Sequence, residues 1–127
     1  MDEYFDNFLI LDKFNVSRET FSTLNEFREK IIEKNNEINL ISTKSASNSM
    51  NRHIIDCAQV IDLIDINGKT CTDIGSGAGL PGIVLSILLR DKKIDMKMNL
   101  YEKSYRKSSF LRSVSKKLKL DIEIFEE

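Results

Sequence analysis

The sequence predicts an α/β protein: an N-terminal helical cap over residues 1–68, then a parallel sheet begun over 69–127 by about three strands. Three observations carry that prediction. Apolar residues in the first half recur at helical spacing. From Thr70 onward, short β-type runs alternate with helical ones. Between the first strand and its helix lies a glycine-rich loop: Gly75, Gly77, Gly79 and Gly82, four of the chain's five glycines, stand within eight residues, and Pro81, its one proline, is among them.

Asp2 to Phe14 reads as a short amphipathic helix. Ser17 is a suitable N-cap for a second helix, whose apolar positions Phe21, Leu24, Phe27, Ile31 and Ile32 repeat at helical spacing up to Asn35-Asn36. The stretch "INLIS", Ile38 to Ser42, breaks the period and reads as a loop. A third helix is expected from about Ser47 to Asp65, with Met50, Ile54, Cys57, Ala58, Ile61 and Ile64 as its buried stripe, and Asn67-Gly68 as a turn. Thr70 to Ile74 is then a strand, Pro81 to Arg90 a helix with proline in the first turn, and Met96 to Glu102 a second strand. Ser104 caps a helix to about Lys119 with Phe110, Leu111, Val114 and Leu118 inward, and Asp121 to Phe125 is a third strand. Alternating β and α units with right-handed crossovers give the sheet order 3-2-1.

Composition narrows the class. With 41% hydrophobic and 31% charged residues, the 127-residue chain reads as a soluble globular protein. The longest apolar run, Ile83 to Leu89, is far short of the roughly 18–20 residues that span a bilayer, and the acidic N-terminus lacks the basic region of a signal peptide. Cys57 and Cys71 have no metal-ligand spacing and read as reduced structural thiols, so neither metal nor membrane is expected and a cytoplasmic location is. Net charge is −1, yet the window 103–119 holds seven basic residues and no acid. Lys103, Arg106, Lys107, Arg112, Lys116, Lys117 and Lys119 make a candidate phosphate-binding surface, against the plainer reading of a solvated helix face. Tyr101 and Tyr105 can stack bases but read better as packing residues.

A strand ending in Asp73, then glycines, then a helix is a nucleotide-binding arrangement. The dinucleotide fingerprint needs glycine at position 80, where Leu80 stands, and the lysine of a phosphate-binding P-loop is absent. Acids at two successive strand ends, Asp73 and Glu102, point instead to S-adenosylmethionine. Its amino-acid portion is cationic and it has no phosphate, and an acid at the second strand's end can accept both ribose hydroxyls. The plainer alternative makes Asp73 a turn cap and Glu102 a surface charge.

"DIGSGAGLPGIVLSI", with "INLIS" and "RHIIDCAQVI" upstream and the basic "RKSSFL" downstream, resembles the bacterial 16S rRNA (guanine-N7)-methyltransferase family, also called glucose-inhibited division protein B. The resemblance covers essentially the whole chain, with Cys57 where the family usually has serine. It implies a helical cap before a Rossmann-like S-adenosylmethionine-dependent methyltransferase domain, acting on N7 of a guanine in 16S rRNA within the small ribosomal subunit or its precursor, and a monomer at full length. By position, Gly75 and Leu80 match loop residues that contact the cofactor, Asp73, Gly77 and Gly79 shape the same pocket, and Glu102 matches the ribose-binding acid. Asn39, Arg52, His53 and Asp56 match the polar set directed at the cofactor. No acid–base catalyst is assigned: N7 carries a free lone pair and no proton, so methyl transfer needs alignment and a surrounding field. Arg52, His53 and Asp56 are therefore expected to organise the pocket or the RNA.

Such a domain normally has six or seven strands, and three are visible. The expectation is a truncated chain with an exposed first-strand edge, inactive as an isolated fragment. Two other functions stay open: a methyltransferase with another substrate, and a non-catalytic nucleotide- or RNA-binding module.

Overall fold

The computed structural model describes residues 15–40 and 50–127. Helix α1 (Arg18–Lys34) starts where the Ser17 hydroxyl accepts the Thr20 N–H at 3.1 Å, with Glu19 in its first turn and Lys34 in its last, both suited to the helix dipole. Helix α2 (Met50–Ala58) runs into a 3-10 turn (Gln59–Leu63). Strand β1 (Thr70–Ile74), helix α3 (Gly82–Asp91), strand β2 (Lys97–Tyr101), helix α4 (Tyr105–Lys117) and strand β3 (Ile122–Phe125) follow. The sheet is parallel, in the order β1-β2-β3, which is the expected 3-2-1 arrangement.

Strands β2 and β3 each begin one residue later than expected and β2 ends one earlier, and three helices depart from their expected bounds. The third helix is not one α-helix from Ser47 to Asp65: it tightens after Ala58. In 3-10 winding, residues i and i+3 eclipse, and this keeps Ile61 buried and Ile64 against the core before the chain turns extended at Ile64. Helix α3 begins at Gly82, one residue late, because Pro81 occupies the cap position; its carbonyl accepts the Leu85 N–H at 2.9 Å, and the Leu80–Pro81 peptide is cis. Helix α4 stops at Lys117 because Lys119 turns left-handed, with φ of 55°, and the Leu120 N–H closes back on the Ser115 carbonyl at 3.0 Å. The expected Asp2–Phe14 helix, the first residues of the third helix and Ile41-Ser42 of the loop lie outside the described residues.

Helix α3 is apolar all round, and every residue from Gly82 to Leu89 is buried. A helix of that kind must be covered on all sides. The sheet covers one side, and α1, α2 and the 3-10 turn cover the other. One core therefore runs through both parts of the chain: Leu24, Phe27 and Ile31 of α1, Ile54 and Ala58 of α2, Ile83 to Leu89, Met98 and Leu100 of β2, and Leu111 and Val114 of α4. The expected division at 68/69 falls at a turn, where the Gly68 N–H meets the Asp65 carbonyl at 3.0 Å.

The strands' alternation separates two faces. Cys71, Asp73, Met98, Leu100, Ile122 and Ile124 share a register face turned to the helices, and Met98 and Leu100 are fully buried. The opposite face carries Ile74, the stacked rings of Tyr101 and Phe125 at 4.6 Å, and the Lys97–Glu123 ion pair at 3.0 Å. On it, Ile74 is 83% exposed. Among the described residues β1 pairs only with β2, so its outer edge is open.

Candidate cofactor loop and its surroundings

The loop after β1 is built by crossing the end of β2. The Gly75 and Ser76 N–H groups both donate to the Tyr101 carbonyl, at 2.9 and 3.0 Å, and the Ser76 carbonyl accepts the Gly79 N–H at 2.8 Å. Gly77 and Gly79 hold φ of 54° and 94°, a left-handed backbone that glycine adopts without penalty. Their surroundings differ. A β-carbon at Gly79 would stand 2.4 Å from Ile83 Cγ1, whereas at Gly75 or Gly77 it would meet nothing within 4 Å. The loop thus has an inner side pressed onto α3 and an outer side facing open space.

Two carboxylates fix it. Asp73 Oδ2 accepts the Gly82 N–H at 3.2 Å, where α3 starts. Burial pushes the Asp73 carboxyl up, while hydrogen bonding from Ser76 and Gly82 pulls it down, and burial wins. Asp73 is therefore a turn anchor, as the plainer reading had it. Glu102 is not a surface charge: it is 9% exposed, its Oε1 accepts the Gly77 N–H and its Oε2 the Ser104 N–H, both at 2.8 Å. Its own N–H donates to the Phe125 carbonyl at 2.9 Å, so one acid after β2 ties the β1 loop, the start of α4 and the end of β3 together. Each carboxylate oxygen keeps a further lone pair. Sequence reasoning selected Glu102 as a ribose acceptor and missed its grip on Gly77. Its only signal was an acid placed directly after the second strand.

Leu80 is half-buried and packs on the core at the loop's end. Arg52, His53 and Asp56 are exposed on α2. Burial, then the charges of Asp56 and Asp73, push the adjacent Cys57 thiol up to about 11. Helix α2 packs on α3, whose first residue Gly82 closes the loop. Asn39 is exposed and joins Asn35, Ser104, Arg106 and Lys107 around a groove of about 300 Å³, just beyond the Ser104 N–H that holds Glu102.

The basic residues do not form one uniform set. Lys103, Arg106, Lys116, Lys117 and Lys119 are exposed and Lys107 partly so, but Arg112 lies 3.6 Å from Glu126, which also accepts the Ser108 hydroxyl. Tyr101 is a packing residue, as expected; Tyr105 is not, for it is 69% exposed. Among the described residues no group of His, Cys, Asp or Glu is placed to hold a metal ion, and no helix is long and apolar enough to cross a membrane.

The family model of rRNA small subunit methyltransferase G matches residues 20–127. A protein of Pelagibacter ubique named ribosomal RNA small subunit methyltransferase G is 46% identical over 129 residues, covering 100% of this chain and 61% of that protein. Proteins of the same name from a Ruegeria species and from Bartonella tribocorum are each 39% identical, covering 88% and 87% of this chain and 54% and 51% of theirs. The chain thus spans about half the length of the curated relatives it matches, from 45% to 61%. A glycine loop clamped by Asp73 and Glu102, beneath a helical cap that shares its core, is accordingly how the rRNA small subunit methyltransferase G family is represented here, and the chain belongs to that family.

Proposed function

We propose that this chain carries the cofactor loop of an S-adenosylmethionine-dependent methyltransferase that modifies N7 of a guanine in 16S rRNA. The observation that carries the reading is the Glu102–Gly77 clamp: a buried carboxylate after β2 holds the β1 loop with its outer side open. The donor set suits this cofactor. Gly75 and Gly77 offer a surface without β-carbons, Glu102 has lone pairs for ribose hydroxyls, and Asp73 supplies negative charge near the strand end for a cationic amino-acid group. When bound, the cofactor supplies an electrophilic methyl on a sulfonium. The chain's own residues bind and orient. Because guanine N7 has no proton to lose, no general base is needed, and Arg52, His53 and Asp56 serve to position cofactor or RNA beside the loop. The name of the family and those of its relatives support rRNA as the substrate.

Calorimetric titration with S-adenosylmethionine tests the site. Glu102→Gln keeps the shape but turns one of two acceptors into an amide donor facing a backbone N–H, at a cost of about 2 kcal/mol in stability. Cofactor binding should weaken at least tenfold. Binding unchanged by Glu102→Gln removes the reading. In cells, deletion of the gene should abolish one 7-methylguanosine in 16S rRNA, read by mass spectrometry of nuclease digests.

A further inference from the structure

The end of α1 and the outer face of α4 enclose two adjoining cavities. One, of about 560 Å³, is lined by Lys34, Tyr105, Arg106, Ser109, Phe110 and Ser113 among others. The second, of about 300 Å³, runs on past Asn39, Ser104 and Lys107 toward the Glu102 clamp. Glu37, Ile38 and Arg106 line both, so they form one continuous groove. Its charge is positive. Glu37 is spent on Lys34 at 2.6 Å, and Arg106, exposed at the junction, has no hydrogen-bond or ion-pair partner among the described residues. Beside it Tyr105 is 69% exposed and lines the same cavity, which leaves an aromatic face open next to the Arg106 guanidinium.

We infer that this groove seats a single-stranded stretch of RNA, with the Tyr105 ring stacking one base and Arg106 and Lys107 holding the phosphates beside it. The inference rests on the proposed rRNA reading and assigns that substrate a path: along α4, past Ser104, to the cofactor loop. Several features select this ligand. A lone exposed ring stacks a base only where the base has left its own helix, which favours a single strand over a duplex. Arg106 lies between the two cavities, where a backbone running through both would pass. The 3.6-residue period sets Lys116 and Lys117 on the same face of α4 as Arg106, Ser109 and Ser113, which makes a basic stripe about 15 Å long. Arg112 flanks this stripe, three residues from Ser109 and four from Lys116, but its guanidinium is turned to Glu126 at 3.6 Å, so its charge is already answered.

The test is fluorescence anisotropy of the chain with a short labelled RNA strand, and with the same strand in a duplex, over a range of salt. The single strand should bind more tightly. Tyr105→Ala should weaken it about tenfold, and Tyr105→Phe should restore it, because the ring and not the hydroxyl does the stacking. Arg106→Ala should weaken binding and lower the salt slope by about 0.7, one single-strand phosphate. Arg112→Ala removes the same charge from the same helix and should change affinity less than twofold. All three positions are exposed, and circular dichroism checks that the four variants fold. Ultraviolet crosslinking followed by mass spectrometry should place RNA on the peptide that contains Tyr105. Equal losses from Arg112→Ala and Arg106→Ala, a preference for duplex, equal displacement by an acidic peptide, or crosslinks confined to other peptides would each overturn the groove. Cofactor titration of the same variants reports separately on the methyltransferase reading: Glu102→Gln leaving S-adenosylmethionine binding intact sinks that reading, whereas the anisotropy pattern decides the groove.

Discussion

The two ends of α3 are held by opposite means. At its C-terminal end the bonds come from side chains. Asp91 Oδ1 accepts the Ser17 N–H and hydroxyl and the Thr20 hydroxyl, locking α3 to the start of α1. Arg90 donates to the Leu118 and Lys119 carbonyls at 2.8 and 3.2 Å, locking it to the end of α4. At the N-terminal end the shape is set by backbone: glycines, the Tyr101 carbonyl, and two acids that accept main-chain N–H groups. One end has three chain segments and their side chains tied together. The other keeps a loop with one side empty of side chains. The difference separates residues that hold the fold from residues that shape a site, even within a run of ten helical positions.

The sharpest break should come where the loop meets the core. Gly79→Ala puts a β-carbon 2.4 Å from Ile83 Cγ1 and 3.1 Å from Leu111 Cδ2, with φ of 94°, and both neighbours are fully buried. Overpacking and left-handed strain add, for a loss of about 3 kcal/mol or more. Urea unfolding followed by circular dichroism would show it as a lower midpoint at an unchanged slope. A loss under 1 kcal/mol would mean that the inner side of the loop is not packed as described.

At the other end of α3 the expected loss is smaller and carries a pH signature. Burial raises the Asp91 carboxyl, but the hydrogen bonds from Thr20 and Ser17 outweigh it and hold the carboxyl below its ordinary range. A carboxylate with a depressed folded value stabilises above its unfolded value, near 3.9, and that stability is lost as pH falls through the folded value. From its hydrogen bonds, discounted for solvent screening, Asp91→Ala should cost about 1.5 kcal/mol at pH 7, and the gap from the parent chain should narrow as pH falls below about 4. A gap that is constant from pH 7 to pH 3 would show that the contact works by packing and not by charge.

The same contrast explains what could be read in the sequence. Elements dominated by local periodicity and caps were legible: Ser17 and Ser104 cap as expected, and the inward stripe Phe110, Leu111, Val114 and Leu118 is buried. The sheet order followed from the alternation of elements and the hand of crossovers. Long-range pairings were not legible, because no local pattern encodes them. The Asp91 latch joins residues 74 apart, and the Glu102–Gly77 bond joins residues 25 apart. The partition of the basic window was hidden for the same reason, since only the fold brings Glu126 to Arg112 and leaves Tyr105 bare. In the glycine loop the sequence showed four glycines of one kind, and the structure shows two kinds.

That division gives the smallest effect on stability and the most telling one for function. Gly77→Ala adds a β-carbon to open space, with no atom within 4 Å, so only the left-handed backbone, with φ of 54°, opposes it. The expected loss is about 1 kcal/mol, well below that of Gly79→Ala. The added carbon enters the space assigned to S-adenosylmethionine, so cofactor affinity should fall about tenfold or more, out of proportion to the change in stability. Gly75→Ala should behave alike. The pair of measurements, urea midpoint and calorimetric affinity on each variant, decides the matter. If Gly77→Ala and Gly75→Ala lose stability but bind the cofactor as before, the outer side of the loop is merely exposed, and the ligand lies elsewhere.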